Sequence, residues 1–454
     1  MMRLLSVAEA VGGSLSGDDR LCTGVAIDSR SLRPGDLFVA LRGHRCNGHD
    51  FLGQAEQSGA SGAVVQEHRD AVLPTVHVAD TRLALGRLAH HWRSQFNIPV
   101  IGVTGSNGKT TVKGMILSIL SRRAQGIATS GNLNNDIGVP LTLLRIRDHD
   151  RFAVIEMGMN HPGEIAYLTG LAAPSVALVI NAAAAHLEGV GTLEGVARAK
   201  GEIFSGLPAQ GVAVINRDDP YCELWRGLAG TRRVVTFGFG DADVTGSADC
   251  RPDGCRLRIA ARLPDGTRAE GEGTLALLGM HNVLNALAAT AASLAAGASL
   301  DDALAGIAGM RPVPGRLEPL AGHSGSLVIN DTYNANPGSL AAAIAVLKSL
   351  PGERVLVLGD MLELGHATME QHAEAGRLAR RCGIDRLMAV GEQAALAVRS
   401  FGTGGTLFAS VEDLAAALGR IMHSNMAVLV KGSRSMRMER VVEAVSQDPR
   451  GGMH

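Results

Sequence analysis

Short unbroken apolar runs alternate along this chain with stretches whose apolar residues recur every three or four positions. The first rhythm marks buried strands and the second marks helices with one face in a core. Between residues 98 and 311 the strand candidates are "PVIGV", "FAVIE", "SVALVIN", "GVAVIN" and "RVVTFG". After the first comes "VKGMILSILSRR", where Val112, Met115, Ile116, Ile119 and Leu120 share one helix face. Strands alternating with helices predict a mostly parallel sheet covered on both sides. From about 243 to 275 the rhythm changes. "PDG" occurs twice there between extended stretches, which predicts an antiparallel insertion.

The flanking regions differ. Residues 1–97 read as a smaller α/β domain, with strands at "AVVQE" and "TVHVAD". Its helix "TRLALGRLAHHWRSQF" should turn Leu83, Leu85, Leu88 and Trp92 inward. At 309–319, "GMRPVPGRLEP" carries three prolines and two glycines and reads as a linker. Beyond it "SLVIND", "RVLVLGD", "RLMAVG" and "AVLVKGS" alternate with helices such as "NPGSLAAAIAVLKSL" and "VEDLAAALGRIM". The expectation is an α/β protein of three domains: 1–97, a central sheet domain at 98–311, and a Rossmann-like domain at 312–454.

Composition narrows the class. Aromatics are 3% of a chain that is 46% hydrophobic, so the cores must be aliphatic, which suits layered α/β domains. The net charge of −1 has no basic stripe, which argues against nucleic acid. The N-terminus lacks an apolar run of signal-peptide length, and "LALLGMHNVLNALAATAASLAAGA" is broken by His281, Asn282 and Asn285. A cytoplasmic monomer is the expectation. Six scattered cysteines fit reduced thiols. Cys250 and Cys255 flank the turn "RPDG"; they read as paired strand residues, with a disulfide or a metal pair as alternatives.

The chemistry begins at "IGVTGSNGKTTVKGMI". A strand ends at Val103, a helix begins near Thr110, and Gly105, Ser106, Asn107, Gly108, Lys109, Thr110 and Thr111 lie where phosphate would sit. Glycines let backbone N–H groups face phosphate oxygens, and a helix N-terminus adds positive potential. Lys109 can reach the outer phosphates and the Thr110 hydroxyl can ligate Mg²⁺. The common G-x-x-x-x-G-K-[ST] pattern is incomplete, since Val103 stands where glycine is usual. Glu156 ends "FAVIE" at the carboxyl edge of the sheet, in reach of a metal beside that loop. His186 follows "SVALVIN". Lys200 in "VARAKGEIF" reads, by itself, as a surface lysine on a helix.

These segments, with "IEMGMNHPGEI", "NAAAAHLEGVG", "GMHNVLNALAA", "PVPGRLE", "INDTYNANPGSL", "LGDMLELG" and "LVKGSRSMRME", resemble in order the Mur ligases of peptidoglycan synthesis. "NDTYNANPGSL" and "KGSRSMRME" are most similar to the branch that adds D-alanyl-D-alanine to UDP-N-acetylmuramoyl-tripeptide. The resemblance implies an ATP-dependent ligase forming a C–N bond through an acyl phosphate. It implies a role in cell-wall synthesis and, through it, in cell shape, cell cycle and division. It implies that 105–111 hold ATP phosphates, that Thr110 and Glu156 hold one Mg²⁺, and that His186 and a carbamylated Lys200 serve a second. It makes Asn282 and Asn285 nucleotide-base contacts and brings Arg316 to ATP from the C-terminal domain. Asp331, Tyr333 and Asn334 would face the same cleft, and Lys431, Ser433 and Arg434 the incoming dipeptide or acyl phosphate. Ser29 and Arg30 in "DSRS" would meet the uridine end, and Asn132, Asn134 and Asn135 the muramyl peptide. Rival expectations are another Mur or folylpolyglutamate-type ligase, or an ATPase switch of a different class.

Overall fold

The computed structural model of the chain describes residues 1–43, 46–69, 72–183, 187–251, 254–263 and 266–447. Among them the largest sheet has nine strands. Val100–Thr104 lies between Ala153–Glu156 and Val176–Val179, and the parallel run continues through Val212–Asn216 and Arg233–Gly238. Val244–Arg251, Gly254–Arg262 and Arg268–Leu275 then add an antiparallel extension, where the change of rhythm places one. The helix Lys109–Leu120 buries Val112, Met115, Ile116, Ile119 and Leu120 against this sheet. Its start needs Gly108, whose φ of 83° is reached by glycine at no steric cost.

Cys250 and Cys255 are directly opposed across the first hairpin of that extension, as expected. Their sulfurs are also bonded, which replaces the expectation of free thiols there. Opposed positions on antiparallel strands bring the two Cα atoms to 4.0 Å, within reach of a bridge.

The N-terminal region forms a five-stranded sheet in the order Ser14–Ser16, Thr75–His77, Gly62–Val65, Asp36–Val39, Gly24–Ala26. Its helix Thr81–Ser94 is capped by Asp80 and buries Leu85, Leu88 and Trp92. Leu83 is 49% exposed, contrary to expectation, because the buried stripe runs through Ala84 and Ala89 instead. That helix packs against Gly138–Leu143 and Glu164–Ala172 of the central region. One continuous apolar cluster therefore runs from Leu4 and Leu37 through Leu88 and Leu168 to Trp225.

The C-terminal sheet has six strands: Glu318–Ala321, Leu327–Asp331, Met426–Lys431, Glu353–Gly359, Arg386–Val390 and Gly405–Phe408. All its pairs but the first are parallel. Alternate residues such as Val355 and Leu356 feed separate clusters on its two faces, as period-2 side chains must. In these clusters Leu278 is the one buried member from before residue 311. The helix Pro337–Ser349 begins with a capping box of Asn336 and Ser339 and with Pro337 in its first turn.

Candidate functional site

The parallel strands of both large sheets end toward one cavity of about 550 Å³. Six consecutive residues of the phosphate loop, 106–111, line it from one side. The loop is tied down before any ligand arrives. Asn107 N–H donates to Asn181 Oδ1 at 2.9 Å, and Asn181 Nδ2 donates back to Asn107 O at 3.2 Å. Ser106 Oγ bridges to both polar groups of the Ala183 backbone. Lys109 folds back on its own loop, donating to Gly105 O at 2.8 Å. Burial lowers its pKa, outweighing the opposing pull of Glu156, with Arg316 adding to the lowering.

Glu156 is 2% exposed at the end of its strand. Its Oε1 accepts from Asn134 Nδ2 at 2.9 Å and lies 3.4 Å from Thr110 Oγ1. Its Oε2 lies 3.1 Å from the Lys113 ammonium but has no aligned hydrogen-bond donor. Burial pushes this carboxyl up, yet Lys113, Lys109 and Asn134 together leave it below the usual carboxylate range. A buried carboxylate beside a threonine hydroxyl is an oxygen donor set for a hard divalent cation.

The C-terminal domain supplies the opposite wall. Arg316 donates to Thr110 Oγ1 at 3.1 Å and stacks over the Tyr333 ring at 4.1 Å. Asn336 Nδ2 donates to Asn107 Oδ1 at 2.8 Å, a second link across the domains. Lys431 and Asp331 face each other in register at the carboxyl ends of adjacent strands and form a 2.5 Å ion pair. Burial still raises the Asp331 carboxyl despite Lys431. Asp331 Oδ1 also accepts from Leu317 N–H, so it shapes the linker that carries Arg316.

Of the residues singled out from sequence, Ser106, Asn107, Gly108, Lys109, Thr110, Thr111, Asn132, Asn134, Asn135, Glu156, Asn282, Asn285, Arg316, Asp331, Tyr333, Asn334 and Lys431 share this cavity. Asn282 and Asn285 are hydrogen-bonded to each other, and Asn285 abuts Gly108 closely enough to exclude a side chain there. Asn135 Oδ1 accepts from Gly138 N–H at 2.9 Å, where the helix Gly138–Leu143 begins. Gly105 meets the site through its carbonyl, which accepts from Lys109. Lys200 is not a surface residue: it is 1% exposed, because its helix packs inward beside Trp225. Burial, with the charge of Lys109, holds its pKa well below 10.5. His186 lies outside the described residues.

Besides Gly105 and Lys200, four of the predicted residues stand apart from the cavity wall. Ser433 is buried and accepts from Leu362 N–H at 2.8 Å, fixing a loop whose Leu362 and Leu364 line the cavity. Arg434 is exposed and pairs with Glu439. Ser29 donates to Gln54, and Arg30 pairs with Asp28, the residue that caps their short 3₁₀ turn. Both sit in the N-terminal domain.

Sequence reading passed over Lys113, Asn181, His281 and Asn336. Lys113 was detectable as the residue one helical turn beyond Lys109, on the same face. Asn336 announces itself as an N-cap before proline. Asn181 and His281 carry no pattern that spacing alone would flag.

Three family models match the chain: the Mur ligase middle domain over 103–293, the Mur ligase glutamate ligase domain over 315–434, and the Mur ligase family catalytic domain over 22–93. The UDP-N-acetylmuramoyl-tripeptide–D-alanyl-D-alanine ligase of Escherichia coli K12 is 44% identical, with 98% of each chain covered. A crystal structure of MurF from Acinetobacter baumannii superposes with a TM-score of 0.91 at 36% identity, covering 97% of this chain and 98% of that one. MurF ligase from Thermotoga maritima in complex with ADP gives 0.83 at 29% identity, over 93% and 96%. Similarity at that level along nearly all of both sequences is decisive, and the chain belongs to the Mur ligase family, on its D-alanyl-D-alanine-adding branch.

Proposed function

We propose that the chain joins D-alanyl-D-alanine to UDP-N-acetylmuramoyl-tripeptide, driven by ATP, to give the pentapeptide precursor of peptidoglycan. One observation carries the reading. A phosphate loop and the carboxyl edge of a second sheet share one cavity, in a chain whose full-length relatives bear that activity. A carboxylate has no leaving group, so the chemistry runs in two steps. A terminal carboxylate oxygen of the tripeptide attacks the γ-phosphorus, and ADP leaves with the bridging oxygen. The dipeptide amine then attacks the acyl carbon, phosphate departs with the acyl C–O electron pair, and the amine sheds a proton.

Several anions must converge, so fixed cations are the main requirement. Lys109 is assigned to the outer phosphates, exchanging its bond to Gly105 O for them. Arg316 approaches the same oxygens from the other domain, and Asn282 and Asn285 flank the base. Asp331, Tyr333, Asn334 and Lys431 face the reacting carbonyl and the dipeptide, with Ser433 and Arg434 behind. The loop with Asn132, Asn134 and Asn135 holds the muramyl peptide, and Ser29 and Arg30 serve the uridine end.

The Thr110 hydroxyl and the buried Glu156 carboxylate beside it fit Mg²⁺, which when bound offsets phosphate charge. Lys200 and His186 are assigned to a second ion. Burial favours the neutral amine of Lys200, the form that adds carbon dioxide, which supports a carbamate there. The same reading divides the chain at 97 and 311 and makes it a cytoplasmic monomer. Among the described residues no helix is long and apolar enough to cross a membrane.

A phosphate-release assay tests the reaction. Release should require both UDP-N-acetylmuramoyl-tripeptide and D-alanyl-D-alanine. Sustained ATP hydrolysis with neither acceptor present would favour an ATPase switch and overturn the ligase reading.

A further inference from the structure

Lys113 does not belong to the phosphate loop, yet it is 6% exposed and faces the same acid that the loop threonine faces. Its ammonium has two partners. One is Glu156 Oε2 at 3.1 Å; the other is Gly131 O at 3.2 Å, in the loop that carries Asn132, Asn134 and Asn135. The same loop returns to the same carboxylate through Asn134 Nδ2 at 2.9 Å. Asn134 is itself locked: its carbonyl accepts from Gly158 N–H at 2.8 Å, and its side chain leaves no room for a Cβ on Gly158. Gly131, Lys113, Glu156 and Asn134 thus close a circuit. It joins the nucleotide-binding helix, the metal-ligating acid and the substrate loop.

The ammonium carries three N–H donors, and the second acceptor, Gly131 O, ties the buried pair to the loop. With it, whatever draws on the Glu156 carboxylate changes how strongly Lys113 holds Gly131 O. We infer that Lys113 is a positioning residue that couples occupancy of the nucleotide–metal site to the conformation of loop 130–135, and so to affinity for the UDP-linked peptide. The inference rests on the assignment of that loop to the muramyl peptide.

Calorimetric titration with UDP-N-acetylmuramoyl-tripeptide, alone and with Mg²⁺ plus β,γ-methylene ATP, tests it. In the parent protein the nucleotide should tighten binding roughly fivefold or more, the lower range of coupling between sites. In Lys113→Met the ratio should fall below about twofold, and Lys113→Arg should recover part of it. An unchanged ratio in Lys113→Met overturns the inference, as does a parent protein that binds the peptide substrate with no coupling. A parent protein that does not bind the substrate overturns the functional reading beneath it. Should Lys113→Met not fold, hydrogen exchange of residues 130–135 in the parent protein decides alone. Amide protection there should rise several-fold on adding Mg²⁺ and the analogue, and unaltered exchange refutes the coupling.

Discussion

Replacing Lys200 with methionine should make the protein more stable while abolishing its activity. The side chain is 1% exposed in the helix Leu193–Gly201, and burial with Lys109 holds its pKa well below the ordinary 10.5. The folded state therefore binds fewer protons at this site than the unfolded chain does. Stability then rises with pH up to 10.5 and is lost as pH falls through the lowered folded value. Each unit is worth about 1.4 kcal/mol, so a lysine kept neutral at pH 7 costs at most about 5 kcal/mol against 10.5. Methionine keeps the apolar stem without the titration. Lys200→Met should gain about 1–4 kcal/mol at pH 7, with the gap closing toward pH 10. Urea unfolding in carbon-dioxide-free buffer measures this. Trp225 is a suitable probe, since its indole donates to Ala197 O of the same helix at 2.9 Å; Trp92→Phe removes the other indole. Bicarbonate should stabilise the parent and not the variant, and short carboxylic acids should restore part of the variant's activity. A variant less stable than its parent at pH 7, or a gap constant from pH 7 to 10, would refute the reasoning.

Other outcomes follow from single contacts. Arg316→Ala removes both the Thr110 hydrogen bond and the Tyr333 stack, and kcat should fall about 10²- to 10³-fold; a change under twofold contradicts its placement. His281 is pushed down to about 4 by burial and then by Lys431, so it is neutral above pH 5. Its stabilising contribution is present above pH 6.5 and lost as pH falls through about 4, and the pH–rate profile of His281→Gln should keep the parent's shape from pH 6 to 9. Replacing Cys250 and Cys255 by serine should lower stability by under about 2 kcal/mol, because the strand pairing on either side already closes that short loop. Thermal melts showing a much larger loss would give the bridge a wider role.

Periodicity reached the sheets because buried parallel strands are unbroken apolar runs, and each of those quoted from 99 to 238 is a strand of the central sheet. The hairpin extension was legible in its turn residues. Leu83 was misplaced because alanines, which scarcely register as an apolar stripe, carry the buried face of its helix. The site was legible wherever a side chain follows a strand or opens a helix, as with Lys109, Glu156 and Asp331. It was not legible where burial comes from a distant segment. Lys113 lies on a helix face that looks solvent-facing until loop 130–135 covers it, and Lys200 is hidden by packing around Trp225. Asn107 and Asn336 are 229 positions apart and become partners only when two domains meet.

Cores, rather than sheets, decide how many bodies the molecule moves as. The first two sheets hang on one shared apolar cluster, so separating them would expose buried leucines and valines to water. The third sheet keeps its own clusters and reaches back mainly through Leu278 and a few polar links. Parting the third lobe from the other two should therefore expose far less apolar surface than parting the first two from each other.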